Sequence, residues 1–287
     1  MSAIDATVAP AARTRRWQRP SMDRVTLGGR LGLGLLGLLV LLAAAAPLIA
    51  ADPTAPVAAP FAGPTSGLWL GADDIGQDVF ARILFGLRTS LLAAVVVIVS
   101  GVLIGGAIGL VAGTRGGWVD AVLMRLTDVF LALPGPILAI AIVAALGPSL
   151  RNTVLAVALV WWPWYARLMR NEVRALVVRP HIDAARLAGT STTRIMLRHI
   201  LPGTLPPIVV AASLDVQVLV LVLAGLSFLG LGSPPPAPEL GAMAARGADY
   251  LVGNPLIPLA PGVAVFLVAF AANLAGDAVR DLMGRRP

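Results

Sequence analysis

Long apolar stretches separated by short polar segments dominate the pattern of this 287-residue chain. A helix needs about 20 apolar residues to cross a hydrocarbon core of roughly 30 Å. Such windows predict six membrane-spanning helices, at residues 31–51, 89–114, 129–150, 152–166, 199–230 and 250–276. The fourth window is short, but aromatic residues at 161–165 suit a membrane surface, so its helix is expected to reach about residue 168. The pattern predicts an all-α integral membrane protein.

Arginine positions predict the orientation of these spans. All 22 basic residues are Arg, and with the N-terminus inside, eighteen of them fall in cytoplasmic segments. The four on the outer side are Arg82, Arg88, Arg151 and Arg246. Basic residues concentrate in the cytoplasmic loops of membrane proteins. Both termini are therefore expected to be cytoplasmic.

The segments between the spans suggest how the chain is organised. We divide it into a disordered basic cytoplasmic arm at 1–26, a first transmembrane helix at 27–51, an extracytoplasmic loop with an interfacial helix at 52–88, a transmembrane domain at 89–283 and a cytoplasmic tail at 284–287. The first span has a longer apolar run than a cleaved signal sequence, which favours a retained helix. Asp73 or Asp74 is expected to cap the interfacial helix.

Composition supports the membrane assignment and excludes several classes of function. The chain is 57% hydrophobic and 13% charged, with a mean hydropathy of +0.85. No polar stretch reaches the roughly 50 residues that a soluble domain requires. The absence of cysteine excludes disulfides and thiol chemistry. The net charge of +7 comes from arginines, and the orientation of the spans already explains where these arginines lie. No nucleic-acid partner is therefore expected.

A basic cytoplasmic loop at 169–204 joins the fourth and fifth predicted spans. Pro180 suits the start of a short helix, and Gly189 suits its end because glycine adopts a positive φ without steric cost. Thr190 or Ser191 then caps a second short helix. Two such helices are too small to form a core of their own, so the loop must pack on a partner. The alternative is an amphipathic loop that lies on lipid headgroups.

The order of residues in this loop resembles the EAA loop of ABC-importer permeases. An acidic residue and two alanines occupy 183–185, Gly189 follows after three more residues, and Leu201 and Pro202 end the motif. Asp183 replaces the usual Glu, and His199 stands where the pattern often has Ile. In that family the loop is a coupling helix that docks on the ATPase subunit. The coupling residues implied are Asp183, Ala184, Ala185, Arg186, Gly189, Thr190 and Ser191.

The resemblance covers about residues 27–283 and narrows to the C-type subunit of the peptide, opine and nickel permeases, also called dipeptide/oligopeptide permease C. Residues 71–91 are similar to its outer signature with departures at Ala72, Gln77 and Ala81, and Leu240 replaces a frequent Trp. Other matching segments are RLTDVFLALP (125–134), RHILP (198–202), GLSFLGLGSPPP (225–236) and NLAGDAVRD (273–281). The implied fold is the type I ABC importer permease fold with six spans, in the bacterial inner membrane.

The chemistry of the chain places ATP hydrolysis in other subunits. A phosphate-binding loop needs a Lys to reach the phosphates, and this sequence has none. The resemblance implies a homologous B-type permease, two ABC ATPases that bind ATP and Mg²⁺, and an extracytoplasmic substrate-binding protein. The chain itself is then expected to be non-catalytic and to bind no cofactor. Short peptides are the expected cargo, with nickel chelates, glutathione and opines as alternatives.

Ionisable groups inside membrane spans are costly and often functional. Asp215 lies in the fifth predicted span and is a candidate for the translocation path, for pairing with the partner permease, or for an internal hydrogen bond to Gln217 or another span. Arg115 and Arg125 are expected to neutralise two acids near the inner boundary, Asp120 and Asp128. At the end of the last span, Asp277 is expected to pair with Arg280.

Two other classes of membrane protein fit the sequence less well. An intramembrane protease would need a zinc motif, a serine and histidine pair or two aspartates at membrane depth, and the spans offer Asp215 alone. A stand-alone secondary transporter would show inverted repeats with broken helices at the midplane, which the two halves of this chain do not display.

Overall fold

The computed structural model describes residues 25–283. Its α-helices are α1 (Leu27–Ile49), α2 (Val79–Arg115), α3 (Gly117–Leu131), α4 (Gly135–Leu146), α5 (Leu150–Val177), α6 (Pro180–Leu187), α7 (Thr192–Ile195), α8 (Leu201–Phe228), α9 (Leu240–Gly247) and α10 (Leu256–Met283). A π-helical segment, Met196–Ile200, joins α7 to α8, and a 3₁₀ turn, Ala248–Tyr250, follows α9. Most of the predicted arm (1–24) and the tail (284–287) lie outside the described residues.

Length and apolarity support fewer membrane spans than the six predicted. Within residues 25–283, four helical segments are long and apolar enough to cross a membrane: α1, α2, the continuous segment from α7 to α8, and α10. The count becomes five if α3 and α4, which meet at an angle of 79°, form one bent span. The predicted fourth span lies in α5, which is long enough but too polar to qualify by composition. Six spans are therefore not established by length and apolarity.

The predicted interfacial helix is not a separate element, because residues 79–88 form the first turns of α2. Asp78 caps this helix by accepting a hydrogen bond from the Phe80 amide at 2.9 Å, rather than Asp73 or Asp74. Leu84 and Leu87 are buried, so this part of α2 packs inside the protein. The helix continues without a break for 37 residues until Gly116, whose φ of 63° ends it.

A line of glycines on α2 allows α5 to pack against its backbone. Gly101, Gly105, Gly109 and Gly113 recur every four residues, which places them on one face of the helix. A Cβ atom at Gly105 would overlap the carbonyl oxygen of Trp162, and one at Gly109 would overlap that of Ala166. Small residues at such positions let helix backbones approach closely in membranes. The pair α2 and α5 therefore forms the centre of the fold.

The remaining helices surround this pair. Helix α8 packs against α2, α5 and α10, while α1 packs against α10 and α2. Close approach again depends on small residues, because a Cβ at Gly32 of α1 would collide with Leu274 of α10, and one at Gly276 would collide with Leu214 of α8. The main apolar core lies among these helices.

Asp120 ties α3 to the inner half of α5. Its two carboxylate oxygens accept hydrogen bonds from Nε and Nη2 of Arg170 at 2.6 and 2.7 Å, and Arg174 adds a third at 2.7 Å. Asp128 pairs with Arg167 at 2.5 Å. The predicted pairing of these two acids with Arg115 and Arg125 is wrong, because the arginines of α5 lie across the helix interface. The predicted pair of Asp277 and Arg280 is present at 3.1 Å.

These two acids should differ in how much they stabilise the fold. Asp120→Asn is expected to cost about 1 to 2 kcal/mol, since the carboxylate is buried but its arginines are partly solvated. Asp128→Asn is the matched control and should cost less than about 0.5 kcal/mol, because both partners are nearly half exposed. Thermal unfolding of the purified variants checks this order, and equal losses would contradict it.

Candidate functional site: the inner hairpin and the membrane carboxylate

The inner hairpin, residues 180–200, is two short helices joined at a tight turn. Gly189 has a φ of 74°, and its amide donates to the carbonyl of Arg186 at 3.0 Å. The amide of Thr190 donates to the carbonyl of Ala185 at 3.1 Å. Together these bonds form a Schellman motif, which ends α6 at the predicted glycine. Ser191 occupies the N-cap position of α7 without a side-chain hydrogen bond.

Three isoleucines anchor the inner hairpin to the bundle. Ile182, Ile195 and Ile200 are buried and belong to a second apolar cluster with residues of α2, α5 and α8. Leu110 and Met169 are among those residues. The hairpin therefore packs on its own chain through one face. A segment of this size would otherwise lack a core, so the anchoring makes it stiff.

The opposite face of the hairpin is exposed. The predicted coupling residues Asp183, Ala184, Arg186, Gly189 and Ser191 are exposed, while Ala185 and Thr190 are half-buried. Asp183 and Arg186 pair at 2.9 Å one turn apart on α6. Leu187, which the sequence did not single out, is 90% exposed between this pair and the turn. A single exposed leucine is common on protein surfaces, but this one lies on the same exposed face as the predicted coupling residues, so it is a candidate contact there.

Asp215 lies where α8 meets α5. Its Oδ2 accepts hydrogen bonds from Nε1 of Trp161 at 2.9 Å and from the hydroxyl of Tyr165 at 2.8 Å. The side chain is half-buried, while Tyr165 is fully buried against Gly101 of α2. The internal hydrogen bond considered from the sequence is therefore made to α5 and not to Gln217. Two of the aromatic residues that the sequence assigned to a membrane-surface belt, Trp161 and Tyr165, instead make these hydrogen bonds to Asp215.

Arg82 organises the outer side of the protein and was not identified from the sequence. It is 1% exposed, and its Nη1 donates to the carbonyls of Pro53 at 3.0 Å and Pro236 at 3.1 Å, and to Oε1 of Gln77. Its Nε lies 3.4 Å from the carboxylate of Asp73. One guanidinium thus joins the loop before α2 to the loop before α9. We call this assembly the outer cap.

Glu239, three residues after Pro236, is a further buried ionisable group beside the outer cap. It caps α9 by accepting hydrogen bonds from the amides of Gly241 at 3.1 Å and Ala242 at 3.2 Å. Burial outweighs these bonds and raises the pKa of the Glu239 carboxyl above its ordinary value of 4.5. Charging this group at neutral pH therefore costs stability in the folded protein.

The sign of this shift predicts a pH dependence. A raised folded pKa means that the stability contributed by Glu239 is full below about pH 4.5 and is lost as the pH rises through the folded pKa. Glu239→Gln should remove that loss. The melting temperature of the variant minus that of the wild type should then increase from about pH 5 to about pH 8. Asp249→Asn, at an exposed carboxylate in the turn after α9, is the matched control for the removal of an acid that is not buried.

Comparisons with known proteins identify the class to which this bundle and hairpin belong. Residues 105–287 match the family described as "Binding-protein-dependent transport system inner membrane component". The chain belongs to this family. It is therefore a membrane permease of the ABC transporter class, a transport component rather than an enzyme, and it works with further subunits. The family resemblance inferred from the sequence motifs is confirmed, as is the inner-membrane location.

Individual relatives extend over most of the chain. It is 43% identical over 221 residues to the glutathione transport system permease protein GsiD of Pectobacterium atrosepticum, covering 77% of this chain and 73% of that protein. It is 42% identical over 222 residues to the probable D,D-dipeptide transport system permease protein DdpC of Escherichia coli, covering 77% and 74%. The dipeptide transport system permease protein DppC of Alkalihalophilus pseudofirmus is 41% identical over 221 residues, covering 77% and 73%.

A solved structure supports the fold independently. The MetNI methionine ABC transporter, in an inward-facing conformation, contains a chain that aligns with a TM-score of 0.56 at 23% identity. The alignment covers 70% of this chain and 96% of that one. At this identity the likeness concerns the fold alone, which is the type I ABC importer permease fold predicted from the sequence.

Proposed function

We propose that this chain is the C-type permease of an ATP-driven importer of short peptides. It pairs with a homologous B-type permease, and the translocation path lies between the two. Two ABC ATPases bind the cytoplasmic side, and an extracytoplasmic binding protein delivers the cargo. Relatives at 41 to 43% identity named for dipeptides and for glutathione support a small peptide as cargo. ATP and Mg²⁺ then bind to the ATPases and not to this chain.

The observation that carries this proposal is the two-sided construction of the inner hairpin. One side is fixed to the bundle by buried isoleucines, and the other exposes Asp183, Arg186 and Leu187. A segment of this kind suits the transmission of force from a docked subunit. Closure of the ATPase dimer on ATP would displace the hairpin and tilt α5 and α8, which it joins. We infer that this switches the path between its two orientations.

The required stiffness has an energetic scale. Moving a two-state equilibrium from 1:99 to 99:1 needs about 5.5 kcal/mol of differential binding. A loosely held loop would absorb this energy by bending. Anchoring through Ile182, Ile195 and Ile200 reduces that loss, because each side chain is packed against the bundle.

We further propose six spans with both termini in the cytoplasm. The excess of arginine in segments assigned to the inner side supports this orientation. Helix α5 then crosses the membrane although it is polar, since its backbone packs on α2 and its arginines lie near its two ends, Arg151 at the outer end and Arg167, Arg170 and Arg174 in the inner half. Helices α3 and α4 together form one bent span.

Co-purification and transport inhibition test the proposed function. Gentle solubilisation of membranes should recover an ATPase and a second permease together with this chain. Uptake into right-side-out vesicles should stop with vanadate and continue with a protonophore. A stand-alone secondary transporter would give the opposite pattern and would purify alone. Dipeptides and glutathione can be separated as cargo by measuring which of them stabilises the cognate binding protein against heat.

A further inference from the structure

The middle of α8 carries a carboxylate without a counter-ion. Asp215 lies 14 residues after the first residue of α8, about half-way along a helix of roughly 42 Å. Both donors that reach it are neutral, the indole of Trp161 and the hydroxyl of Tyr165. Between residues 25 and 283, no Arg or His lies within ion-pair distance of this carboxylate.

Three acids near the ends of the long helices are treated differently. Asp120, Asp128 and Asp277 each pair with at least one arginine. A charge at membrane depth is costly unless it is paired or reaches water. Asp215 lies at mid-helix and accepts hydrogen bonds but has no cation beside it. We therefore expect its positive partner to come from outside this chain.

The local geometry prepares this carboxylate for such a partner. Trp161 and Tyr165 are one turn apart on α5, and both donate to the same oxygen, Oδ2. Oδ1 accepts no hydrogen bond from the described part of the chain. Tyr165 is itself fixed, because its ring lies against Gly101 of α2. The carboxylate is thus held in one orientation, half-buried, with one oxygen available.

We propose that Asp215 binds the protonated amine of the cargo as it passes through the permease. This inference rests on the proposed function and makes it more specific. The favoured cargo is a small peptide with a free amino group, because an ammonium group supplies both the missing charge and N–H donors for Oδ1. Neutral or anionic chelates lack that group. The same requirement would be met by a cation of the partner permease, and the experiment separates the two.

The complete importer, with its partner permease, ATPases and binding protein, provides the test. The complex is reconstituted into liposomes loaded with ATP, and uptake of radiolabelled dialanine and ATP hydrolysis are measured together. Asp215→Asn removes the charge and keeps the hydrogen-bonding shape, while Asp215→Glu retains the charge. We expect at least about tenfold less dialanine uptake for Asp215→Asn, with binding-protein-stimulated ATP hydrolysis within about twofold of wild type. Asp215→Glu should keep most of the uptake.

The possible results are distinct. Wild-type uptake of dialanine by the Asp215→Asn complex overturns the inference and leaves the proposed function intact. Loss of the partner permease from the purified Asp215→Asn complex also overturns it, since the positive group would then belong to the subunit interface. Equal loss of uptake in Asp215→Asn and Asp215→Glu, with matching loss of ATP hydrolysis, assigns Asp215 a structural role. A wild-type complex that takes up neither dialanine nor glutathione contradicts the proposed cargo itself.

Discussion

Leu187→Asp is expected to reduce ATP-driven uptake by about 30-fold or more while leaving the permease itself folded and inserted in the membrane. Leu187 is 90% exposed on the inner hairpin, so aspartate there disturbs no internal packing. If Leu187 is a hot spot at the centre of the interface, it contributes about 2 kcal/mol or more, which corresponds to a factor of about 30. Burying an unpaired carboxylate against the docked subunit would add to that loss.

Two measurements on the same variant check this expectation. Uptake into vesicles should fall, and less ATPase subunit should co-purify with the permease. Leu187→Met is the matched control, because it keeps an apolar side chain of similar volume and should retain uptake within about threefold. Normal uptake by the aspartate variant would contradict the docking role of this surface. Unchanged ATPase binding with lost uptake would place Leu187 in transmission rather than docking.

Gly109→Ala is expected to destabilise the fold by about 2 to 3 kcal/mol, although it adds a single methyl group. That methyl would overlap the carbonyl oxygen of Ala166 and lie 2.8 Å from the Cβ of Met169. Both obstacles belong to or adjoin the backbone of α5, so they cannot move aside as a flexible side chain would. Overpacking of a close helix contact commonly costs 1 to 3 kcal/mol. The two central helices would have to separate.

Gly37→Ala provides the matched control for this prediction. Gly37 lies in α1, and a Cβ there meets nothing within 4 Å. Alanine is the better helix former by up to about 1 kcal/mol, so this variant should be as stable as wild type or slightly more stable. Thermal unfolding of the isolated permease in detergent measures both. Similar melting temperatures for the two variants would show that α2 and α5 are not packed as closely as the structure indicates.

Features set by local chemistry were predictable from the sequence. Gly189 was expected to end α6 because a positive φ suits glycine, and the turn depends on residues within five positions of each other. The family resemblance rested on short motifs in a fixed order, and such motifs can be recognised without any knowledge of how the helices pack. The all-helical membrane class followed from composition and long apolar runs.

Features set by long-range contacts were not predictable. Arg82 joins carbonyls of Pro53 and Pro236, and the second of these lies 154 residues away in sequence. The available signal was an arginine flanked by Ala81 and Ile83 in an apolar stretch, which indicates burial but not its partners. Asp120 likewise pairs with Arg170, 50 residues away in sequence, and not with a nearer arginine, because helix packing determines which arginine faces it.

The apolar windows also gave incorrect helix boundaries. The charge-free window ending near residue 166 covers only part of α5, which extends to Val177 and carries arginines on its inner half. The outer helix was separated from the second span because Arg82 and Arg88 interrupt the apolar run. The structure shows that a buried arginine with backbone acceptors is compatible with a continuous helix, so a charge in the sequence did not mark a boundary.

Because α2 is continuous, it connects the two surfaces of the membrane mechanically. Its 37 residues span about 55 Å, well beyond the hydrocarbon thickness, with Arg82 of the outer cap near one end and Leu110, beneath the inner hairpin, near the other. A rod pivoting near its midpoint moves its two ends in opposite directions, and a tilt of about 10° displaces each by about 5 Å. In the proposed importer, arrival of the binding protein outside and nucleotide exchange inside would therefore both move this one helix.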